Sequence, residues 1–372
     1  MSTPSPPAQN TLRIAALGIA KNEGPWLIEW AAHCKAVGFN VIVLGTNDCD
    51  DGTDKIADIL QDMGVLTHFD NAPPYYRRNQ YQAPSLQLTA YHRMQSMPEV
   101  ADCDWVMPLD IDEFFVGHVG DGTVQALCAK HHKAHGIMMR WRMFGDNGLT
   151  GMITPPITDQ LTRCSKKEDH NNENVKMLVR DHQEVDLDMH ISVRRRIDPE
   201  ANAYQRMVRK LKGKRERAYI SFDGKLYGLQ RAYGNKKYLE YFKDRARDYV
   251  DAQVNHYAVR TIDLCRLKSI RGDAYYTHTN RFQKDYIDRF NRNEVEDTSI
   301  FKYREKRDAL LTEWFSNKDL KDLHQTAIEV TREKLARMDA EGYEVPDVGE
   351  KNIRLSSQDL KKWQRDNSRK QG

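Results

Sequence analysis

Short apolar runs alternate with helical segments along the first third of the chain, and this alternation restricts the fold more than any other feature. The runs have the length and composition of buried strands: RIAALGIA (13–20), NVIVLG (40–45), VLTHFD (65–70) and WVMPLDIDEFFV (105–116). Segments typical of helices lie between them at 24–38, 54–64 and 85–96. This order predicts an α/β fold with a mostly parallel central sheet and crossover helices.

The length of the chain allows one large domain or two ordinary ones, and its apolar content is ample for a core. It has 372 residues, of which 40% are hydrophobic. Residues 1–11 are polar and rich in Pro and Ser, which predicts a disordered tail. We predict a sheet domain over residues 12–285, with a basic insertion at 193–254. Amphipathic segments beyond residue 300 predict a helical C-terminal extension over residues 286–372.

The overall charge gives little attraction to nucleic acid. Lysine and arginine number 57 against 54 aspartates and glutamates, for a net charge of +3. We therefore expect no nucleic-acid partner. A local basic stretch, RRR at 194–196 and RKLKGKRER at 209–217, is either a solvated surface or a patch for an anionic partner.

The termini and cysteines bear on location. The N-terminus lacks the basic-then-apolar pattern of a signal peptide, and the longest apolar runs have only the length of strands. The six cysteines contain no CxxC pair, which disfavours a zinc ribbon or a disulfide framework. We expect a cytoplasmic protein, at most peripheral to the inner face of a membrane.

Carboxylates interrupt the fourth apolar run. If 105–116 is one strand, Asp110 and Asp112 project to the same side, roughly 6 to 7 Å apart, while Glu113 faces the other side as a partner of an arginine or a backbone amide. Oxygen ligands at this spacing favour Mg²⁺ or Mn²⁺. The alternative is a strand end that has reached solvent.

The loop TNDCDDGT at 46–53 is the second polar constellation. Asp48 and Asp51 could cap the following helix, or could accept hydrogen bonds from a base or ribose. The patterns GxGxxG, GxxxxGK[ST], GxSxG and HExxH are absent. Their absence disfavours dinucleotide-binding, P-loop, serine-hydrolase and zinc-protease functions.

Five motifs in order resemble bacterial glycosyltransferase family 2, and also the related family 92 type. They are AKNEGPWLIEWAAHCKAVGFNVIVLGTNDCDDGTDKI, DWVMPLDIDEFF, MRWRMFGDNG, VKMLVR with His190 downstream, and NHYAVRTIDLCRLKSIRGDA. The resemblance covers about residues 13–300. It implies a GT-A fold, a Rossmann-like architecture of nucleotide-diphospho-sugar transferases.

The resemblance also implies roles for individual residues. Lys21, Asn22 and Glu23 would lie beside the nucleotide, and Asp48 and Asp51 near the base or ribose. Asp110 and Asp112 would form a DxD motif that holds Mn²⁺ or Mg²⁺ on the diphosphate, with Asp110 also a candidate for the ribose. The third metal ligand would be His256 or His190. Lys176 could neutralise the diphosphate or could be a surface charge.

The activity so implied is transfer of a sugar from a UDP- or GDP-sugar to a hydroxyl of a glycan or lipid-linked acceptor, in surface polysaccharide or glycolipid synthesis. Inversion is expected, and it needs a base to take the proton of the acceptor hydroxyl. The first candidate for this base is Asp146, followed by Asp188 and Glu113.

Two other enzyme classes use related chemistry. A phosphohydrolase of the haloacid-dehalogenase type also has a DxD at a strand end, with the first aspartate as nucleophile. That class places its DxD on an early strand, whereas here it lies past residue 100. A nucleotidyltransferase shares the nucleotide and metal, but AKNEGPW is a poor match to its Gly-rich loop.

Overall fold

The structure is a computed structural model. It describes residues 12–71, 86–194, 217–222, 225–230, 249–271, 282 and 284–344. The predicted tail at 1–11, the greater part of the basic insertion and the end of the C-terminal extension lie outside these residues.

Ten strands of the described residues form one sheet. Its main path runs β12-β11-β6-β8-β4-β1-β2-β3, with β13 pairing with β6 and β5. Two further pairs, β9 with β10 and β7 with β14, lie outside this sheet. The fourteen strands of the described residues are β1 (Ile14–Ala20), β2 (Val41–Thr46), β3 (Thr67–Asp70), β4 (Trp105–Pro108), β5 (Glu113–Gly117), β6 (Gly136–Met143), β7 (Arg163–Cys164), β8 (Val175–Arg180), β9 (Val185–Asp186), β10 (Val193–Arg194), β11 (Arg217–Phe222), β12 (Lys225–Gln230), β13 (Ala252–His256) and β14 (Val295–Glu296).

Helices cover this sheet. They are α1 (Gly24–Ala36), α2 (Thr53–Asp62), α3 (Leu86–Gln95), α4 (Pro98–Ala101), α5 (Val124–Lys130), α6 (Ile262–Arg271), α7 (Lys284–Phe290), α8 (Arg304–Trp314) and α9 (Lys318–Ala340). Short 3-10 helices lie at Ile157–Asp159, His170–Glu173, His182–Glu184 and Ser299–Tyr303. Among the helices of the described ranges, none is long and apolar enough to cross a membrane.

The half of the sheet built from β1 to β4 is parallel and has the order 3-2-1-4 of a Rossmann-like fold. The other half is mixed, because β8 runs antiparallel to both β4 and β6. The prediction of an α/β fold with a mostly parallel central sheet is thus confirmed.

Strand β1 shows why its apolar run must be a central strand. Alternate residues enter two separate cores, one on each face of the sheet: Ile14 and Ala16 on one side, Ala15 and Leu17 on the other. A side chain in place of Gly18 would meet the Trp30 ring at 2.9 Å, so close packing of α1 on β1 requires glycine there.

The prediction of one strand over residues 105–116 is wrong. Strand β4 ends at Pro108, and β5 begins at Glu113 and pairs with β13 instead. The backbone turns between them, since the amide of Glu113 donates to the carbonyl of Asp110 at 3.0 Å. The Glu113 carboxylate accepts from the amide of Asp110 at 2.9 Å, so the turn has a side-chain bond as well.

Helix α1 contacts β5 through the buried side chain of His33. The His33 ring donates from Nε2 to the carbonyl of Phe115 at 2.8 Å, and the ring is 1% exposed. Burial lowers the pKa of His33 to about 4. The folded protein therefore keeps this ring neutral at pH values where an unfolded chain would protonate it.

We expect the free energy of unfolding to decrease as the pH is lowered, because His33 must stay neutral in the folded protein. Between the unfolded pKa of about 6.5 and the folded value, only the unfolded chain binds the proton, so acid favours unfolding. From pH 7 to pH 5, the wild type should lose about 2 kcal/mol more than His33→Gln, whose amide keeps a donor. Urea unfolding at the two pH values measures this difference. Equal losses in the two proteins would contradict the assignment.

Candidate active site

Three loops at the carboxyl edge of the parallel strands meet at one place. They follow β1 at Lys21, β2 at Asn47 and β4 at Leu109. Because parallel strands end at the same edge, and ligands of open α/β sheets bind there, these loops define the candidate site.

A fully buried lysine ties the turn after β4 together. Lys176 of β8 places its Nζ 2.8 Å from Asp110 Oδ2 and 2.8 Å from Glu113 Oε2. The other oxygen of Asp110 accepts from Gln87 Nε2 at 2.8 Å. Glu113 therefore shares a cation with Asp110, and the prediction that it faces away is wrong. Its predicted contact with a backbone amide is confirmed.

A second lysine pairs with Asp112. Lys268 Nζ of α6 lies 2.6 Å from Asp112 Oδ2 and also donates to the carbonyl of Ala258 at 2.7 Å. The Nε2 atom of His256 lies 3.5 Å from Asp112 Oδ1. Burial alone would raise the pKa of Asp112, but the ammonium of Lys268 and the ring of His256 hold it well below its usual range.

The loop after β1 contributes a buried carboxylate with two arginines. Glu23 lies 2.8 Å from Arg260 Nη1 and 2.5 Å from Arg271 Nη1. Burial by itself would raise the pKa of Glu23, but the two guanidinium groups lower it below its ordinary value. Arg271 also donates to the carbonyl of Lys21 at 2.7 Å, so α6 is fixed to this loop.

The two residues of the loop after β2 that are predicted to lie near the base or ribose have different surroundings. Asp51 is buried and accepts from the amides of Gly24 and Thr53 at 3.0 and 2.9 Å, so it holds the first turns of α1 and α2. Asp48 is exposed and lies 3.9 Å from Lys21 Nζ. The capping alternative therefore describes the contacts of Asp51, whereas the role of Asp48 near a base or ribose stays a prediction.

Backbone strain marks the same loops. Asn22 has a φ of 54° and Asp48 a φ of 47°, in the left-handed region that Asn and Asp tolerate best. The amide of Asp50 donates to Asn22 Oδ1 at 2.9 Å, which joins the first loop to the second. Strained residues of this kind cluster at ligand sites.

The loops after β1 and β2 border a cleft of about 840 Å³, including its mouth. Six of its lining side chains are lysine or arginine and three are aspartate or glutamate. The rest include an apolar group on α1, α6 and α9. The lining residues are Lys21, Asn22, Trp26, Asp50, Asp51, Arg260, Leu264, Leu267, Lys268, Ile270, Arg271, Thr331, Lys334, Arg337, Met338 and Glu341.

The lining of the cleft is therefore basic with an apolar part. It includes Lys21, Asn22 and Asp51 among the predicted site residues, whose roles stay predictions, and Lys268 connects it to Asp112.

Of the three predicted base candidates, Glu113 is paired with Lys176, and the other two lie in different settings. Asp146 is buried and accepts from Gly148, Asn291 and Asn293 at 2.9, 2.8 and 3.1 Å, so it links its loop to the segment after α7. Asp188 is half-buried, and its Oδ1 accepts from the amide of His190 at 3.2 Å. Neither residue lines the cleft, and their catalytic roles stay predictions.

The two candidate histidines flank one indole. The ring of Trp141 lies 4.2 Å from the ring of His256 and 5.0 Å from that of His190, centroid to centroid. His190 Nδ1 lies 3.1 Å from the carbonyl oxygen of Val175. His256 contacts the DxD pair through Asp112.

The donor atoms present fit a divalent ion in part. Asp112 Oδ1 and His256 Nε2 are adjacent, whereas both oxygens of Asp110 already accept from Gln87 and Lys176. Within the part of the chain that the structure describes, no three His, Cys, Asp or Glu side chains come together as a metal site. Two protein ligands suit Mg²⁺ or Mn²⁺ when substrate phosphates supply others.

Sequence reasoning missed the cations of this site. The prediction left Lys176 as a possible surface charge, but its side chain is 0% exposed. The sequence around 260–271 is typical of an ordinary amphipathic helix with a short segment before it. This stretch contains Arg260, Lys268 and Arg271. The available signal was the fifth motif, NHYAVRTIDLCRLKSIRGDA, which contains all three residues. Their pairing could not be read from it, because each partner carboxylate is far away in the sequence.

The comparisons with known proteins give no family. No family model matches the sequence, and no curated protein matches it. Among solved structures, S. aureus TarS 1-349 has a TM-score of 0.31 and 11% identity, covering 89% of this chain and 92% of that chain. The same protein in complex with UDP has a TM-score of 0.30, with 11% identity and the same coverage.

A further solved structure is a protein described as a glucose-1-phosphate thymidylyltransferase from Bacillus anthracis, in complex with a sucrose. Its TM-score is 0.28 at 8% identity, covering 64% of this chain and 96% of that chain. Overlaps of this size do not assign a function.

We expect the Lys176 cluster to be necessary for stability. Lys176→Met leaves the buried Glu113 and Asp110 without their cation and should cost about 3 to 5 kcal/mol. Adding Glu113→Gln should recover part of this loss, because a neutral amide is less costly to bury. Urea unfolding of both variants tests the pair. A Lys176→Met protein within about 1 kcal/mol of wild type would contradict the cluster's role.

Proposed function

We propose that this protein is a glycosyltransferase that binds a nucleoside-diphosphate sugar, UDP- or GDP-linked, and transfers the sugar to a hydroxyl acceptor. The observation that carries the proposal is the cleft at the carboxyl edge, where basic side chains outnumber carboxylates six to three. The ordered motifs that resemble glycosyltransferase family 2 provide the residues of this edge.

Breaking the bond between sugar and diphosphate develops negative charge on the leaving phosphate. Lys268 and Arg271 lie in the cleft beside Asp112 and are fixed by buried carboxylates, so they need little reorganisation to stabilise that charge. Asn22, which lines the cleft, and the exposed Asp48 of the next loop would orient the nucleoside. These groups bind and position the donor.

A divalent ion would be held by Asp112 and His256, and it would supply further neutralisation of the diphosphate without proton transfer. Asp110 would keep the turn in place through Lys176 and Gln87. This assignment differs from the sequence prediction, in which Asp110 and Asp112 both hold the ion.

Inversion would require a base at the acceptor hydroxyl, and Asp146 and Asp188 are retained as its candidates. The phosphohydrolase alternative is disfavoured, because its nucleophile would be Asp110, whose two oxygens accept from Lys176 and Gln87. A nucleotidyltransferase would bind a nucleoside triphosphate in the same cleft, and the binding panel below distinguishes it.

The proposal predicts selective nucleotide binding. Calorimetry of the full chain with UDP, GDP and the corresponding triphosphates, with and without Mn²⁺, should give tighter binding of one diphosphate. Lys268→Met should weaken this binding about tenfold or more, since one charge-assisted contact is lost. Lys35→Met, on the far end of α1, is the control. A chain that binds no nucleoside diphosphate refutes the proposal, and a preference for triphosphate supports the nucleotidyltransferase.

A separate prediction concerns the ion. In the presence of the bound diphosphate, Asp112→Asn and His256→Ala should each weaken Mn²⁺ binding at least about tenfold, measured by electron paramagnetic resonance. His190→Ala should leave it unchanged, because the His190 ring meets the carbonyl of Val175. Loss of Mn²⁺ binding in His190→Ala, but not in His256→Ala, would reverse the assignment.

A further inference from the structure

The C-terminal helix α9 forms one wall of the cleft, although it lies beyond the residues that carry the family resemblance. Lys334 and Arg337, spaced i and i+3, line the cleft together with Thr331 and Met338. The site is therefore made of two parts of the chain, the sheet loops and this helix.

Specific contacts hold α9 against the site. The His324 ring donates from Nε2 to the carbonyl of Pro25 in the first turn of α1 at 2.9 Å. Arg266 of α6 pairs with Asp339 at 2.7 Å. Lys334 pairs with Asp50 of the loop after β2. These contacts join α9 to α1, to α6 and to the loop after β2.

The opposite wall has the same arrangement of charge. Lys268 and Arg271 of α6 are also spaced i and i+3 and line the cleft. Two pairs of cations on two helices thus border one cavity. Among the described residues, Lys268, Arg271 and Lys334 pair with carboxylates of the site and with backbone carbonyls: Asp112, Glu23, Asp50, Ala258 and Lys21.

A buried arginine between these walls has donors to spare. Arg260 is 1% exposed and pairs with Glu23 through Nη1, but its Nε and Nη2 have no hydrogen-bond partner among the residues that the structure describes. Its guanidinium carbon lies 3.9 Å from the centre of the Trp26 ring. Its φ of 59° is unusual for arginine. Buried unsatisfied donors and backbone strain together indicate a place for an anionic ligand.

We propose that α9 is part of the donor site, and that Arg337 and Lys334 bind the diphosphate of the nucleotide across the cleft from Lys268 and Arg271. This inference rests on the proposed function and adds helix α9 to the donor site as a second wall. Two cationic pairs suit a ligand with two linked phosphate groups. The apolar side chains of Trp26, Leu264 and Met338 then cover the nucleoside.

The test compares two arginines on the same helix. Arg337→Ala should weaken binding of UDP or GDP, and of inorganic pyrophosphate, about tenfold in calorimetry of the full chain. Arg332→Ala is the matched control, because Arg332 is exposed and does not line the cleft. Arg337→Lys should keep most of the affinity, since it keeps the charge. Alanine is a good helix former, so α9 itself should remain intact.

The outcomes separate this inference from the proposed function. If the wild type binds a nucleoside diphosphate and Arg337→Ala binds it equally well, α9 is not part of the site and the proposed function stands. If pyrophosphate binding depends on Arg337 but no nucleoside diphosphate binds better than pyrophosphate, the α9 site stands and the proposed function fails. If the wild type binds neither ligand, both are overturned.

Discussion

Buried lysine–carboxylate pairs hold the carboxyl edge of this sheet in the shape that a ligand would meet. Lys176 of β8 lies between Asp110 and Glu113, and Lys268 of α6 pairs with Asp112. Removing one partner of such a pair leaves an uncompensated buried charge, so each ion depends on the others. The turn that carries the DxD motif is held by these charges. It is also held by the hydrogen bond from the Asp110 amide to the Glu113 carboxylate.

The same pairs give the candidate site its electrostatic character. Glu23 and Asp112 are each matched by arginine or lysine, and these cations are among the six basic side chains that line the cleft. With Glu23 and Asp112 counted beside the three carboxylates of the lining, the basic side chains are in excess by one. The cations are fixed by their carboxylate partners before the ligand arrives, which is the arrangement that stabilises charge formed during a reaction. The pairing also explains why Asp110 and Asp112, two residues apart, have different partners and different proposed roles.

The C-terminal helices connect this edge to the rest of the molecule. Helix α9 packs beside α1, and His324 meets the carbonyl of Pro25 where α1 begins. Through Lys334 it also contacts the loop after β2, which joins the first loop through Asn22. A helix that reads from its sequence as a solvated amphipathic extension thus has a cleft-lining face. The basic residues of that face are adjacent to the cleft only because α9 packs opposite α6.

The sequence by itself determined the strands, the helices between them and the edge of the sheet where the polar loops meet. These features depend on local periodicity and on the rule that parallel strands end together, and both are readable from neighbouring residues. The turn at Asp110 was missed because Leu109, Ile111 and Phe114 continue an apolar pattern that a strand shares. Only the tertiary structure decided the charge pairing, because Lys176 is 66 residues from Asp110 and Lys268 is 156 residues from Asp112. Contacts over such distances follow from how the elements pack, and no local pattern records them.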